Sequence, residues 1–249
     1  MSTAKTADAH GQRVFAVVVV AAGSGTRLGF GIPKAQVPVA EKELLRWALE
    51  GVCATVLASR LIVTVPAGDT SLTAIAQEFG GLAVVGGSTR AESVVAALKA
   101  ISDAPVQPGM STDEPDAVLV HDCARCFTPV QVFTNVTEAL ERGEKAVIPV
   151  LPVIDTIKSV NESEYVTGTP MRSQLRAVQT PQGFDLPTLL TAYEQAAQQG
   201  LAESITDDAM LAETMNIPVR CVAGSPDSFK ITTPLDLALA RALYEHPRY

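Results

Sequence analysis

The spacing of apolar and polar positions gives the first elements. Residues 14–22 carry no polar side chain and include four consecutive valines, Val17 to Val20. β-Branched residues suit an extended backbone buried on both faces, so this run predicts a strand. A membrane-spanning helix needs about 20 apolar residues, roughly twice what is present. A secretory signal is the closer competitor, because Lys5 and Arg13 precede the run and small residues follow it. The strand is preferred because a glycine-rich turn comes next and the later strand–helix units need a first strand.

Strands are expected at 15–21, 61–65, 82–85, 117–120 and 146–150, with helical spacing at 44–56, 71–79, 91–101 and 130–142. Continuous apolar strands separated by helices indicate an α/β protein: a mostly parallel, twisted sheet with helices on both faces. Residues 102–116, with three prolines and four acids, predict a surface loop. After residue 150 the rhythm changes. Two short alternating segments flank a polar turn at 161–164, predicting a β-hairpin arm over 151–172. A lone hairpin buries too little to stand by itself, so a partner subunit is expected to cover it. Helices at 187–199 and 207–215, strands at 219–223 and 229–232, and a helix from 234 complete one domain over 14–249. Residues 1–13 are expected to be a frayed tail.

Composition narrows the function. The 249 residues are 47% hydrophobic and 18% charged, which suits a large folded core and excludes wholesale disorder. The charge balance, 19 Lys+Arg minus 27 Asp+Glu, is −8. Such a chain has no long-range field for nucleic acid or anionic membrane, so neither is expected as a partner. An anionic ligand would need a few local cations. With no visible anchor or sorting tail, a cytoplasmic location is expected. Cys123 and Cys126 form a C-x-x-C, yet no second pair or clustered histidines accompany it, so a structural zinc site is not expected.

Ala21-Ala22-Gly23-Ser24-Gly25-Thr26-Arg27-Leu28 follows the first strand, at the edge where open parallel sheets bind ligands. Glycines let backbone N–H groups approach a phosphate. Leu28 excludes the dinucleotide fingerprint, and Leu28-Gly29-Phe30 excludes a P-loop. What remains is G-x-G-x-R followed by Pro33-Lys34, two cations on a glycine-rich loop, which suits a triphosphate.

These residues, A-A-G-x-G-x-R-L then P-K, resemble the signature of sugar-phosphate nucleotidyltransferases. Further segments are similar to those of the 2-C-methyl-D-erythritol 4-phosphate cytidylyltransferase family: Gly86-Gly87-Ser88-Thr89-Arg90-Ala91-Glu92-Ser93-Val94, Val120-His121-Asp122-Cys123-Ala124-Arg125, Gln179-Thr180-Pro181-Gln182, Thr206-Asp207-Asp208 and Lys230-Ile231-Thr232. They occur in family order between residues 14 and 244. The resemblance implies a Rossmann-like nucleotidyltransferase fold and a reaction of CTP with methylerythritol phosphate in non-mevalonate isoprenoid synthesis. It also implies Mg²⁺ held mainly by the triphosphate, with no assigned protein ligand, and a homodimer joined through the arm.

By the same resemblance, Arg27, Lys34, Lys230 and Arg172 are the catalytic candidates. Ala21, Ala22, Gly23, Gly25, Gly87, Ser88 and Ser93 would surround the nucleotide. Asp122, Arg125, Thr156, Arg172 and Thr180 would hold the acceptor, with Arg176 an alternative to Arg172; Asp207 is read as structural. The chain departs from the family at Ala35, which is inserted before Gln36 or occupies the place of the usual glutamine, at Cys123 (alanine) and at Cys126 (proline). The last change is expected to loosen the loop after Arg125, because proline's fixed φ is lost. Two other readings stay open: a cytidylyltransferase for another polyol phosphate such as ribitol 5-phosphate, and a non-catalytic nucleotide-binding module.

Overall fold

The structure, a computed structural model, describes residues 13–55, 58–200, 205 and 207–245. The strands are β1 (Phe15–Val20), β2 (Pro38–Val39), β3 (Lys42–Glu43), β4 (Ala58–Val65), β5 (Leu82–Val85), β6 (Ala117–Asp122), β7 (Ala146–Pro152), β8 (Ser159–Val160), β9 (Val166–Gly168), β10 (Arg176–Val178), β11 (Gln182–Asp185) and β12 (Val219–Ala223). The helices are α1 (Leu44–Ala54), α2 (Thr70–Glu78), α3 (Arg90–Lys99), α4 (Val130–Glu141), α5 (Leu186–Gln198), α6 (Asp208–Thr214) and α7 (Pro234–Glu245).

The main sheet has the order β10-β7-β11-β6-β1-β4-β5, with β12 also paired to β7. The pairs β1–β4, β1–β6, β4–β5 and β7–β12 are parallel. β11 runs antiparallel between β6 and β7, and β10 is antiparallel to β7. The α/β class and mostly parallel sheet therefore agree with the apolar pattern. The two antiparallel strands are additions to it.

The valine run shows why the sheet is covered on both sides. Val17 and Val19 join one apolar cluster, with Leu44 and Leu49 of α1, Leu72 of α2, Phe133 of α4 and Leu237 of α7. Ala16 and Val18 join the other, with Val94 of α3, Leu189 of α5 and Leu211 of α6. Alternate side chains of a strand point to opposite faces, so the four valines must be apolar throughout. Burying Val17, Val18 and Val19 contributes roughly 1.5–3 kcal/mol each.

Several boundaries shift. The helix expected at 44–56 ends at Ala54, and residue 56 lies outside the described residues. Of the expected tail, residues 1–12 lie outside them too, while Arg13 pairs with Asp185 at 3.2 Å. The strand expected at 229–232 is not one. Ile231 is fully buried, but its N–H bonds singly to the Ala124 carbonyl at 2.9 Å, over the short 3-10 turn Cys123–Arg125, with no sheet ladder.

The arm is present in shortened form: β8 and β9 pair around Asn161, whose Oδ1 accepts from the N–H groups of Ser163 and Tyr165. Ile154, Tyr165, Val166 and Met171 on this excursion are more than 60% exposed.

Candidate active site

The carboxyl ends of β1, β5 and β6 open into one cleft of about 340 Å³. This is the expected position for a ligand in an open α/β sheet. The seven nucleotide candidates, Ala21, Ala22, Gly23, Gly25, Gly87, Ser88 and Ser93, all border it. So do Arg27, Lys34, Lys230 and Asp122.

The first loop folds back on itself to bring its two cations together. The Lys34 N–H donates to the Gly23 carbonyl at 3.2 Å. Gly25 sits at φ +70°, and a Cβ there would lie 2.8 Å from Lys34 Cβ. The loop closes only because residue 25 has no side chain. Ala35 is buried and borders the cleft, and Gln36 donates to Asp69 at 2.7 Å.

The second glycine segment leads into α3. Thr89 caps the helix, with Glu92 closing the reciprocal capping box. Glu92 Oε2 accepts from both the N–H and hydroxyl of Ser88 at 2.6 Å. Ser93 Oγ accepts from Gly87 N–H at 3.1 Å and donates to the Thr89 carbonyl at 2.9 Å. Ser93 thus shapes the turn that lines the cleft.

The charge of the cleft opposes that of the chain. Arg27, Lys34, Arg90 and Lys230 face a single carboxylate, Asp122. Burial, then the nearby Lys230 ammonium, bring the Lys34 pKa down to about 8. Burial would raise the Asp122 pKa, but Arg90 and Lys230 outweigh it and hold the group well below the usual carboxylate range. Lys230 Nζ lies 2.7 Å from Asp122 Oδ2, and Arg90 Nε donates to Oδ1 at 3.2 Å. The sequence by itself assigns Arg90 no role. Its arginine was visible in the glycine segment, but its partners, residues 122 and 208, are distant along the chain.

The acceptor candidates divide. The Asp122 N–H donates to Thr180 Oγ1 at 3.0 Å, and His121 Nδ1 is 3.0 Å from the same oxygen. Burial brings the His121 pKa down to about 4, leaving the ring neutral. Thr180 is buried and engaged inside the protein. Arg125 does not line the cleft: it donates to the carbonyls of Ser228 at 2.7 Å and Val178 at 3.1 Å, tying the segment before Lys230 to β10. Thr156 and Arg172 are exposed on the arm, where Arg172 donates to the Ile154 carbonyl at 2.8 Å. Arg176 donates to the carbonyls of Ser173 and Leu175. Arg172 and Arg176 border a separate hollow at the base of the arm.

Asp207 caps α6 through the Met210 N–H at 2.8 Å and accepts from Gln182 at 3.1 Å; Thr206 lies outside the described residues. At Cys126 the backbone keeps the course that proline would give it. That residue holds φ −63°, a proline-like value, and Thr128 closes the turn onto the Arg125 carbonyl at 2.8 Å. Burial pushes the Cys123 pKa up to about 12 and raises that of Cys126.

The model of the 2-C-methyl-D-erythritol 4-phosphate cytidylyltransferase family matches residues 15–246. A curated relative of that name from Rhodococcus jostii is 46% identical, over 95% of this chain and 98% of its own length. One from Nocardia farcinica is 42% identical, over 96% and 97%. Among solved structures, the 2-C-methyl-D-erythritol 4-phosphate cytidylyltransferase of Thermus thermophilus is 35% identical with a TM-score of 0.73, covering 93% of this chain and 98% of that one.

Proposed function

Because the chain belongs to the 2-C-methyl-D-erythritol 4-phosphate cytidylyltransferase family, we propose that its positive cleft binds CTP and passes the cytidylyl group to methylerythritol phosphate. The observation that carries this reading is the reversal of charge. A chain of net charge −8 gathers four cations around one carboxylate, at the mouth of a glycine-rich loop.

A phosphate oxygen of the acceptor attacks the α-phosphorus of CTP. The new P–O bond forms as the bond from that phosphorus to the bridging oxygen breaks, and pyrophosphate leaves with the electron pair. The nucleophile is already an anion near neutral pH, so no general base is required. The barrier is the approach of two anions, and the protein lowers it by position and by fixed positive charge. Arg27 and Lys34 receive the β- and γ-phosphates, and Lys230 stands between the α-phosphate and the attacking group. Asp122 accepts from acceptor hydroxyls.

The donor set also bears on Mg²⁺. Asp122 gives one oxygen to Arg90 and the other to Lys230, and no cluster of three ligating side chains occurs among the described residues. The residues suit a metal that arrives on the nucleotide, held by phosphate oxygens. When bound, it neutralises phosphate charge and orders the triphosphate.

The exposed apolar arm belongs in this reading against a second copy of the chain. There it would carry Thr156 and Arg172 to the partner's acceptor site. No described helix is long and apolar enough to cross a membrane; the cytoplasmic reading rests on the small water-soluble substrates.

Pyrophosphate release with CTP and Mg²⁺ tests the reaction, comparing methylerythritol 4-phosphate with ribitol 5-phosphate and the parent with Lys34→Ala. Release with methylerythritol phosphate alone, lost in the variant, is expected. Release only with ribitol phosphate would overturn the acceptor. CTP binding without release from either would overturn the enzyme reading. Sedimentation tests the arm: a dimer is expected, shifting toward monomer with Ile154→Asp.

A further inference from the structure

Asp122 has two cationic partners, and they occupy different oxygens. Arg90 Nε donates to Oδ1 at 3.2 Å, while Lys230 Nζ sits 2.7 Å from Oδ2. The far end of the same guanidinium, Nη1, donates at 2.7 Å to Oδ2 of Asp208. Asp208 is completely buried, and its Oδ1 accepts the Tyr193 hydroxyl. Arg90 is therefore anchored from behind by a carboxylate that solvent does not reach. Its remaining nitrogen, Nη2, is buried and makes no hydrogen bond among the described residues.

In a guanidinium, Nε and Nη2 form one edge, the fork that a carboxylate accepts with both oxygens. One prong of that fork is engaged on Asp122. The other is idle while Lys230 holds the second oxygen. A lysine that serves phosphate groups has to loosen its hold on Asp122. A buried carboxylate left short of a partner carries a large desolvation penalty, which would pull the ammonium back.

From this arrangement we infer that Arg90 is a positioning residue that exchanges with Lys230 on Asp122. As Lys230 moves to the phosphates, Arg90 Nη2 takes over Oδ2 and the carboxylate stays fully paired. The Asp208–Tyr193 anchor keeps the guanidinium in place during the exchange. The inference rests on the nucleotidyl-transfer reading of the cleft. It adds a cleft-lining residue that acts on the reaction through the working lysine.

Arg90→Lys in the full chain is the sharpest variant, because it keeps one positive charge but offers no fork. CTP affinity, read by calorimetry, is expected to stay within about twofold while kcat falls. The fall should be on the order of 10–100-fold, the size found when a group that orients a working side chain is removed. The double variant Arg90→Lys/Lys230→Ala should be no slower than Lys230→Ala alone, since Arg90 acts through that lysine. Asp208→Asn, which weakens the anchor at constant shape, should give the same separation of kcat from CTP affinity and serves if Arg90→Lys does not fold.

Unchanged kcat in Arg90→Lys would overturn the exchange. So would losses that multiply in the double variant, or CTP affinity falling in step with kcat. A parent chain that releases no pyrophosphate would overturn the proposed function and this inference with it. An active parent with multiplying losses would overturn the inference alone.

Discussion

Gly25→Ala places the new methyl where the first loop closes on Lys34. Two effects add. An L residue at φ +70° meets the left-handed penalty of roughly 1–2 kcal/mol. The Cβ would also lie 2.8 Å from Lys34 Cβ and 2.9 Å from both its Cα and its N, an overlap whose relief costs about 1–3 kcal/mol. Because two of those atoms are backbone, relief means moving Lys34 itself and stretching its 3.2 Å hydrogen bond to Gly23. Gly29→Ala is the control: φ is +75°, with nothing within 4 Å of the added Cβ. The comparison isolates the contact from the dihedral strain. Displacing a positioned group by about an ångström lowers rate by roughly 100-fold, so kcat/KM for CTP should fall by about that factor in Gly25→Ala. In Gly29→Ala the fall should be about tenfold or less. Pyrophosphate release at varied CTP, with melting temperature measured in parallel, reads both. If the two variants agree within about threefold in kcat/KM, the packing of residue 25 against Lys34 does not position the cation, and the reasoning fails.

Three further outcomes follow from the same geometry. With its pKa at about 8, Lys34 is charged below that pH and loses its proton above it, so CTP affinity should decline through pH 8 in the parent; in Lys34→Arg the decline should be absent below about pH 10. Asp236 Oδ2 accepts from the N–H groups of Thr232 and Thr233 at 2.8 and 2.7 Å, which outweigh burial and bring its pKa down from 3.8 to about 2. Its contribution to stability is present above pH 3.8 and lost as pH falls through 2, and Asp236→Asn should flatten that part of an acid-denaturation profile. Cys221 is exposed while Cys126 is buried with a raised pKa, so a thiol reagent should modify Cys221 quickly and Cys126 only on unfolding; rapid labelling of Cys126 in the folded chain would contradict its burial.

The parts of this molecule legible in the sequence are those set by local pattern. Four consecutive valines specify a strand buried on two faces, and the G-x-G-x-R…P-K spacing marks a loop that borders the cleft at the strand ends. β10 and β11 were not legible. They are three and four residues long, and Arg176, Gln182, Gly183 and Asp185 give them no apolar alternation. Their status as strands comes from the edges of β6 and β7 beside them. Residues 229–232 erred the other way. Their alternation is genuine, but it packs Ile231 over a turn where no strand offers a ladder. Arg90 was hidden for a third reason: its arrangement exists only once residues 90, 122, 193, 208 and 230 have met.

In the β7–β10 ladder, Pro152 stands opposite Arg176. Residues 153–175 therefore leave and rejoin the sheet at neighbouring points, like a side road returning to the same junction. A two-residue turn, such as Asn-Gly, spans that gap in antiparallel strands. The excursion is thus a cassette: it can be excised or exchanged without rethreading the sheet or disturbing the first loop. Changes in arm length and composition therefore bear on what the arm reaches, and leave the path of the sheet and of the first loop as they are.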